Sequence, residues 1–389
     1  MSEVTSKFPQ LRFPEFSGEW KNRRLDEIFY EIKDKVGNQN IETFSISAGK
    51  GFISQRKKFG RDISGQQNKK YIVVHPNQFS YNKGNSKTFK YGCVYPNNTN
   101  SIIAVPNVFI SFKLKDSEMS VLFFAKIFEN HHLDRGLRRI ISSSARMDGL
   151  LNVNKKYFFE LTVPVTTKPE QQKIAAFLTT VDSKIEQLSK KQELLKEYKK
   201  GLMQQIFSQA TRFKADDGCD FPDWEEKKLG DVSVRGTSNI SANQLEDNNG
   251  DYKIYGAAGH LKNIDFYTEE DCYVAIVKDG AGVGRIMLLE SKTSVLGTLA
   301  IIKAKQGNDI NFLYWLIQTI NFRKYVVGST IPHIYYRDYQ AEKLRIPSLS
   351  EQAKIASFLS SIDNKIEQVG KQLVESKQFK KALLQQMFV

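Results

Sequence analysis

The chain carries the segment Pro169-Glu170-Gln171-Gln172-Lys173-Ile174-Ala175-Ala176-Phe177-Leu178, and it carries a second copy as Glu351-Gln352-Ala353-Lys354-Ile355-Ala356-Ser357-Phe358-Leu359. Both copies continue with similar motifs, Val181–Gln187 and Ile362–Gln368. The copies keep a constant offset of 181 residues, and roughly half of the aligned positions are identical. A repeat of this kind predicts a protein built from two copies of one structural unit.

Each copy of the repeat predicts a long helix. Apolar residues recur at the a and d spacing of a coiled coil over about 38 residues, which corresponds to a helix of about 55 Å. The a and d positions are held by Ile174, Leu178, Val181, Ile185, Leu188, Leu195, Leu202 and Ile206 in the first copy and by Ile355, Leu359, Ile362, Ile366, Val369, Leu373, Leu383 and Met387 in the second. The polar breaks in this pattern, Gln192 and Ser376, do not coincide. Pairing of the two helices with each other is therefore favoured over pairing of either helix with itself.

The start of each predicted helix has the same capping signal. Thr167–Glu170 and Ser348–Glu351 both match the pattern Ser/Thr-x-x-Glu. In this pattern the hydroxyl and the carboxylate satisfy free amide groups of the first turn. We therefore expect a capping box at both positions.

The region ahead of each helix predicts one mixed domain of strands and helices. The two regions open alike, with Phe13–Phe16 and Phe221–Trp224, and close alike, with Leu161–Pro164 and Leu344–Pro347. Between these marks they differ, and both are rich in β-prone runs followed by a helix-like stretch. We therefore expect four segments. They are a first domain at residues 1–165, a first helix at 166–208, a second domain at 209–347 and a second helix at 348–389.

Composition restricts the kind of partner that the chain binds. The formal net charge is +14, which favours an acidic partner such as nucleic acid. Residues 1–165 hold 26 lysines and arginines against 15 acids, whereas residues 208–349 hold 17 against 19. The first half therefore carries the polyanion signal, and the second half would need a local basic cluster to bind DNA.

Other classes of protein are disfavoured by the residues present. No apolar run approaches the roughly 18 residues of a membrane span, and the first residues do not form a secretory signal, so we expect a cytoplasmic protein. The cysteines, Cys93, Cys219 and Cys272, are too widely spaced for a zinc knuckle or a disulfide framework. The adjacent pair His131 and His132 lacks the spacing of known metal motifs. We therefore expect no bound metal or cofactor.

The arrangement of variable domain, helix, variable domain and helix resembles the specificity subunit of type I restriction-modification systems. The resemblance covers essentially the whole chain. It rests on Glu170–Gln187 and Glu351–Gln368, together with Val277–Ala281, Ser294–Leu299 and Gly328–His333. It implies two α/β (α+β) target-recognition domains, separated by two long helices that form an antiparallel coiled coil. Each domain would bind one half of a split double-stranded DNA target.

The same resemblance implies partners and a division of labour. Two methylation subunits would dock along the helices, restriction subunits would join them, and S-adenosylmethionine, ATP and Mg²⁺ would be held by those partners. The chain itself would be non-catalytic. Candidate residues for partner binding lie on the repeats, and they are Glu186, Gln187, Gln204, Gln205, Phe207, Glu367, Gln368, Gln385, Gln386 and Phe388. The phenylalanines near the two helix ends predict exposed apolar positions that need a partner.

Basic loops with aromatic neighbours are the candidates for DNA contact in the first domain. Lysine would mainly position the duplex through its phosphates, whereas Asn and Arg can also bind base edges. The candidates are Lys50, Arg56, Lys57, Lys58, Arg61, Lys83, Asn85, Lys87 and Arg146. For any single lysine, a solvated surface charge is the simpler interpretation.

The second domain has a glycine-rich stretch, Gly280–Arg285, and a cluster just before its helix. The stretch lacks the Gly-Lys-Ser/Thr of a P-loop, and its glycines leave two interpretations open: a plain turn or a hairpin whose amides approach a phosphate. The candidates for DNA contact are Lys278, Gly280, Arg285, Thr298, His333, Tyr336 and Arg337. The aromatic members of this group also suit a protein core.

Two other functions are compatible with the sequence. Asp279, Glu290 and Lys292 match the spacing of a PD-(D/E)xK-like nuclease, in which two carboxylates hold a metal and a lysine activates water. The spacing arises often by chance in a chain with 26% charged residues. A coiled-coil tether without nucleic acid is the third hypothesis, and the net charge of the second half favours it. Magnesium-dependent cutting would distinguish a nuclease, and salt-sensitive binding to a random duplex would distinguish a DNA reader from a tether.

Overall fold

The computed structural model describes residues 8–84, 89–141 and 150–389. The strands of the first domain are β1 (Lys21–Arg24), β2 (Phe29–Glu31), β3 (Phe44–Ser47), β4 (Gly51–Ser54), β5 (Ile72–Val74), β6 (Phe79–Asn82), β7 (Cys93–Pro96), β8 (Ile103–Val105), β9 (Ile110–Leu114) and β10 (Thr162–Val165). Its helices are α1 (Leu25–Ile28), α2 (Gln55–Phe59), α3 (Val121–Glu129), α4 (Asp134–Ile140) and α5 (Lys155–Phe159), with a 3-10 turn at Gly65–Lys70. The long helix α6 (Lys168–Phe207) follows.

The second domain repeats this plan with different lengths. Its strands are β11 (Glu225–Lys228), β12 (Ser233–Thr237), β13 (Tyr252–Gly256), β14 (Gly259–Ile264), β15 (Tyr273–Val277), β16 (Ile286–Leu289), β17 (Ser294–Val295), β18 (Leu299–Ala304) and β19 (Lys343–Ile346). Its helices are α7 (Leu229–Val232), α8 (Ile310–Ile317) and α9 (Tyr336–Tyr339), with 3-10 turns at Ala242–Leu245 and Phe322–Tyr325, and the chain ends in the long helix α10 (Leu349–Met387). None of the helices in the described part of the chain is long and apolar enough to cross a bilayer.

The central sheet has the same antiparallel order in both domains. In the first domain the order is β2-β9-β6-β7, and in the second it is β12-β18-β15-β16. The strand β15 is buried along its whole length and consists of Tyr, Val, Ala and Ile, which suit a strand covered on both faces. The expectation of mixed domains is confirmed, and the common sheet order shows that the domains share a scaffold that their sequences do not reveal.

In each domain the strand that follows the opening motif pairs with the strand that overlaps the closing motif. Strand β1 pairs antiparallel with β10, and β11 pairs antiparallel with β19. Each pair brings the first strand of a domain beside the strand that leads into the long helix. The helix that packs on the central sheet is also capped alike, because Ser120 accepts a hydrogen bond from the Phe123 amide (3.3 Å) and Asp309 accepts one from the Phe312 amide (2.7 Å).

The long helices are confirmed, with 40 residues in α6 and 39 in α10. Contacts divide the chain into a first unit, Met1–Leu188 with Gln372–Val389, and a second unit, Ser189–Lys371. In each unit the start of one helix packs against the end of the other. Ile174 and Leu178 share a core with Met387 in the first unit, whereas Ile206 shares a core with Leu359 in the second. The helices are therefore antiparallel, and each contributes to both units.

Candidate nucleic-acid interface

The two domains place a lysine at corresponding positions of the scaffold. Lys83 follows β6, and Lys278 follows β15, which holds the same place in its sheet. The carbonyl of Lys83 accepts a hydrogen bond from the Leu151 amide (2.9 Å), and the carbonyl of Lys278 accepts one from the Ile334 amide (2.9 Å). Both residues were predicted from the sequence without any sign of their equivalence. The scaffold therefore presents one corresponding edge in each domain, from which the variable loops emerge.

The structure brings four of the predicted residues of the second domain together at this edge. The Lys278 amide donates to the Thr298 carbonyl (2.9 Å), and the Gly280 amide donates to the Pro332 carbonyl (2.8 Å). His333 forms an antiparallel bridge with Asp279, the residue that follows Lys278. Lys278, Gly280, Thr298 and His333, which are separated by up to 55 residues in sequence, therefore form one cluster.

The glycine-rich stretch is a tight hairpin loop. Gly280, Gly282 and Gly284 all have positive φ angles, which glycine adopts without strain. The amide of Gly284 donates to the Val277 carbonyl (2.8 Å) inside the protein, as the Gly280 amide does to Pro332. The amides of Gly280 and Gly284 are therefore not available to a phosphate. Within this stretch, the exposed tip at Ala281 and Gly282 remains compatible with phosphate contact.

The three remaining candidates of this domain have separate surroundings. The Arg285 guanidinium donates to the Ala257 carbonyl (2.6 Å), beside the β13–β14 hairpin. The Arg337 side chain is 76% exposed, and its guanidinium carbon lies 4.7 Å from the centre of the Tyr335 ring. The ring of Tyr336 packs on buried Tyr339 and its hydroxyl lies 3.3 Å from Ser233 Oγ. Tyr336 is therefore half-buried against the domain core, which favours the structural interpretation for this residue.

Most of the basic candidates of the first domain that the structure describes are exposed on the β3–β4 turn or on and after helix α2. Lys50 lies at the turn between β3 and β4, where the Gly49 amide donates to the Tyr95 hydroxyl (2.8 Å). The exposed side chains of Arg56, Lys57 and Lys58 lie on the short helix α2, and exposed Arg61 follows it. Lys83 is held closer to the core, because its Nζ donates to the Val153 carbonyl (3.2 Å). The candidates Asn85, Lys87 and Arg146 lie outside the described residues.

The residues of the nuclease hypothesis are not assembled. Strands β15 and β16 pair from Tyr273 with Leu289 to Ile276 with Ile286, so Glu290 lies at the end of the hairpin opposite to Asp279. A hydrogen bond from Lys253 (2.5 Å), opposed by burial, holds the pKa of the Glu290 carboxyl below its usual range. Lys292 lies 6.0 Å from the centre of the Tyr267 ring. Within the described ranges, no group of three His, Cys, Asp or Glu side chains is arranged to hold a metal ion.

Most residues predicted to bind partners are exposed on the long helices. The exposed ones are Glu186, Gln187, Gln204, Gln205, Glu367, Gln368, Gln385 and Gln386. The expectation of exposed phenylalanines is wrong. Phe388 is only 6% exposed and packs edge-on against Trp20, with ring centres 6.1 Å apart. Phe207 is half-buried against Trp224, with ring centres 6.4 Å apart, because each aromatic helix end completes the core of its own unit.

In place of the expected capping boxes, the glutamate of each box binds an arginine and a tryptophan ahead of the helix. Sequence reasoning missed this interaction. The Glu170 carboxylate is 1% exposed and accepts hydrogen bonds from the Arg12 guanidinium (2.7 and 2.8 Å) and the Trp20 indole (3.3 Å). Glu351 does the same with Arg212 (2.9 and 3.3 Å) and Trp224 (3.0 Å). Of the second box, only the hydrogen bond from the Glu351 amide to the Ser348 hydroxyl (3.4 Å) is present.

The next residue of the repeat joins the helix to its domain in the same way twice. The amide group of Gln171 donates to the Thr166 carbonyl (2.7 Å) and accepts from the Ser120 amide (3.1 Å). Gln352 donates to the Pro347 carbonyl (2.9 Å) and accepts from the Asp309 amide (2.9 Å). The Glu-Gln pair at the head of each repeat therefore fixes the domain on the helix. Its identity in both copies was the signal that could have revealed this role.

The duplicated scaffold and the helix pair define a protein of two related domains, each fixed to both long helices. Residues 222–376 match the family model of the type I restriction modification DNA specificity domain. A specificity subunit assigned to the MjaX type I restriction enzyme of Methanocaldococcus jannaschii is 24% identical, with 97% of this chain and 94% of that protein covered. The MjaVIII specificity subunit of the same organism is 26% identical over 67% and 69% of the two chains.

Solved structures agree on the fold. The type I restriction-modification S subunit from M. genitalium has a TM-score of 0.67 at 17% identity, with 98% of this chain and 99% of that chain covered. A chain from a structure of type I restriction-modification complex assembly and conformational transition has a TM-score of 0.53 at 16% identity, with 96% and 98% covered. The chain is therefore similar over nearly its whole length to a type I restriction enzyme specificity subunit, and the specificity-domain model itself matches residues 222–376. The nuclease and tether hypotheses receive no support from these relatives.

Proposed function

We propose that each domain binds one half of a bipartite double-stranded DNA target and that the chain itself performs no catalysis. The observation that supports this most directly is the scaffold edge that occurs twice, with Lys83 and Lys278 at corresponding positions and unrelated loops around them. Equivalent backbones carrying different loops suit two readers of different sequences. The cofactors S-adenosylmethionine, ATP and Mg²⁺ would then act on partner subunits.

The two domains would hold DNA by different electrostatics. The first half of the chain supplies a broad positive charge that attracts phosphates at long range. The second domain has more acids than bases and would rely on the local group of Lys278, His333 and Arg337. We therefore expect the salt dependence of binding to come mainly from the first domain.

The experiment is methylation mapping of a host genome with and without this gene, together with its methylation and restriction partners. A bipartite methylated target that appears only with the gene supports the proposal. Exchanging residues 20–160 for those of a relative should change one half of that target, and a change in both halves would argue against independent domains. The purified chain alone should neither cut DNA with magnesium nor methylate it with S-adenosylmethionine, and turnover by the pure chain would contradict the proposal.

We further propose that two methylation subunits dock on corresponding faces of the two helices. Tyr198 on α6 and Phe379 on α10 are related by the repeat offset of 181 residues, and each is 55% exposed. Large aromatic side chains exposed on a polar helix are typical anchors of an interface. Because the two positions correspond, they suit two copies of one partner.

Native mass spectrometry of the assembled complex tests this docking. Tyr198→Ala and Phe379→Ala should each give a complex with one methylation subunit, and the double variant should bind none. Val374→Ala, at another exposed apolar position of α10, is the matched control and should keep both subunits. Full stoichiometry in the double variant would exclude these residues as anchors.

The helices would also set the length of the spacer between the half-sites. Two domains that face one side of a duplex should have half-sites centred about one helical turn apart, or about 10 base pairs. Inserting four residues after Lys191 and four after Lys371 adds about 6 Å to both helices. The spacer should then grow by one or two base pairs of about 3.4 Å, while the bases of each half stay the same. An unchanged spacer with full activity would show that the helix length does not set it.

A further inference from the structure

The loop at Gly328–Pro332 carries the most exposed large hydrophobic side chain of the described residues. Ile331 is 65% exposed, although an isoleucine on a protein surface loses the favourable free energy of burial. It lies at the tip of a loop rather than on a flat surface. The side chain is therefore available for contact with another molecule.

The backbone holds this tip in one conformation. Val327 and His333 exchange both of their backbone hydrogen bonds (2.9 and 2.8 Å) and close the neck of the loop. Gly328 has a φ of +86°, and a Cβ atom there would lie 2.6 Å from the Ile331 carbonyl oxygen. The loop is thus folded tightly on itself, and Ile331 is presented without the entropy cost of ordering a flexible segment.

The loop is also fixed to the cluster proposed to bind DNA. Its Pro332 carbonyl accepts the Gly280 amide (2.8 Å), and Ile334 just beyond it donates to the Lys278 carbonyl (2.9 Å). The His333 ring lies 4.9 Å from that of Tyr335, which in turn lies under the Arg337 guanidinium. The tip is thus connected to Lys278 and Arg337, each of which contacts the carboxylate next to it in sequence, Asp279 (2.6 Å) and Asp338 (3.6 Å). Both cations can exchange these carboxylates for phosphates, a setting that suits a polyanion better than an apolar protein surface.

We propose that Ile331 contacts a base of the half-site bound by the second domain, through the C5 methyl group of a thymine. The inference rests on the proposed function. An aliphatic side chain has no hydrogen-bonding group, and the thymine methyl is the apolar feature among the base edges of the major groove. The flanking Lys278 and Arg337 would bind the phosphates on either side and determine how deeply the loop enters the major groove.

The test uses the complete complex assembled with its methylation subunits, on the target found by mapping. Ile331→Ala should reduce discrimination at one thymine position of the second half-site by about tenfold, and Ile331→Val should do so less. Replacing that thymine by uracil, which lacks the methyl group, should weaken binding of the wild type and have little further effect on Ile331→Ala. Val234→Ala, at an exposed β-branched residue of the edge strand β12, is the control and should leave discrimination unchanged.

The outcomes separate the two proposals. If the wild-type complex has no bipartite target, the proposed function fails. If the target exists but Ile331→Ala discriminates as the wild type does, or weakens binding equally for all sequences, the inference about Ile331 fails alone. Because the side chain is exposed, Ile331→Ala should fold normally, and an unchanged circular dichroism spectrum checks this.

Discussion

The two units contain the same ion pair between the long helices, with the roles of the helices exchanged. In the first unit Lys380 of α10 contacts Asp182 of α6, and in the second Lys199 of α6 contacts Asp363 of α10 (2.6 Å). The lysines correspond under the offset of 181 residues, and so do the aspartates. The contact between the helices in one unit therefore corresponds residue by residue to the contact in the other, as the repeat implies.

The two domains contact these corresponding ion pairs in different ways. In the first unit α3 contributes Lys126, which contacts Asp182, and Glu129, which contacts Lys380. In the second unit α8 contributes Trp315, whose ring centre lies 5.1 Å from Lys199 Nζ. Lys126 and Trp315 are each the sixth residue after the cap of their helix. The repeat thus determines the contact between the two helices. The contact of each domain with the helices is not repeated, because it is ionic in the first unit and aromatic in the second.

The largest expected difference between the units concerns the aromatic ends of the helices. Phe388→Ala should destabilise the first unit by about 3–5 kcal/mol, because it leaves a cavity beside Trp20 and Phe123. Phe207→Ala should cost less, about 2 kcal/mol, because Phe207 is only half-buried. Hydrogen exchange of the amides in each unit measures the two free energies of opening separately. Equal free-energy costs would mean that the two aromatic helix ends stabilise their units equally.

The buried glutamates give the next largest effect. Glu170→Gln should destabilise the first unit by about 2–3 kcal/mol, because the Arg12 guanidinium, which is 13% exposed, loses a bidentate ionic partner. Glu351→Gln should cost about 1–2 kcal/mol, because Arg212 is more exposed and also donates to the carbonyls of Phe221 and Pro222. Thermal unfolding followed by tryptophan fluorescence reports on both, since Trp20 and Trp224 contact these carboxylates. A larger loss of stability for Glu351→Gln than for Glu170→Gln would contradict this order.

The ionic network of the first unit should make that unit sensitive to acid. Burial tends to raise the pKa of Asp182, but hydrogen bonds from Lys126 and Lys380 outweigh it and lower this pKa below its usual value. A lowered pKa contributes stability that is complete above the unfolded value of about 3.9 and is lost as the pH falls through the folded pKa. We expect Asp182→Asn to destabilise the first unit by about 1–2 kcal/mol at pH 7 and much less near pH 2. Unfolding of wild type and variant across this range measures the difference, and a cost that persists at pH 2 would exclude the ionic cause.

The smallest effect concerns a glycine that occurs in only one copy of the repeat. Gly201 lies inside α6 with nothing within 4 Å of a Cβ placed there, and the corresponding residue of α10 is Ala382. Gly201→Ala should stabilise the second unit by about 0.5–1 kcal/mol, because alanine loses less backbone entropy in a helix. Gly370→Ala is the comparison, since its Cβ would lie 2.7 Å from the Gln192 amide nitrogen and the gain should be smaller. Denaturant unfolding of the two variants measures the change in the free energy of unfolding for each.

The repeated segment by itself determined the two long helices, their pairing, the mixed domains ahead of them and the resemblance to type I specificity subunits. These features follow from local periodicity and from motifs that a single sequence displays twice. The a and d positions predicted from the sequence are all buried or half-buried, from Ile174 to Met387. Residue type and neighbouring glycines also predicted candidates for DNA contact, including Lys278 and His333, and their role stays a prediction.

Tertiary structure alone decided what the other residues do. Glu170 has the spacing of a helix cap, yet it binds Trp20, 150 residues away in the chain. The equivalence of Lys83 and Lys278 exists in the order of the strands and not in the residues around them. Asp279 and Glu290 have a nuclease spacing, but the register of β15 and β16 places them at opposite ends of a hairpin. A local pattern records which face of an element is apolar, whereas these contacts depend on which distant segment packs against that face, and only the folded chain specifies that.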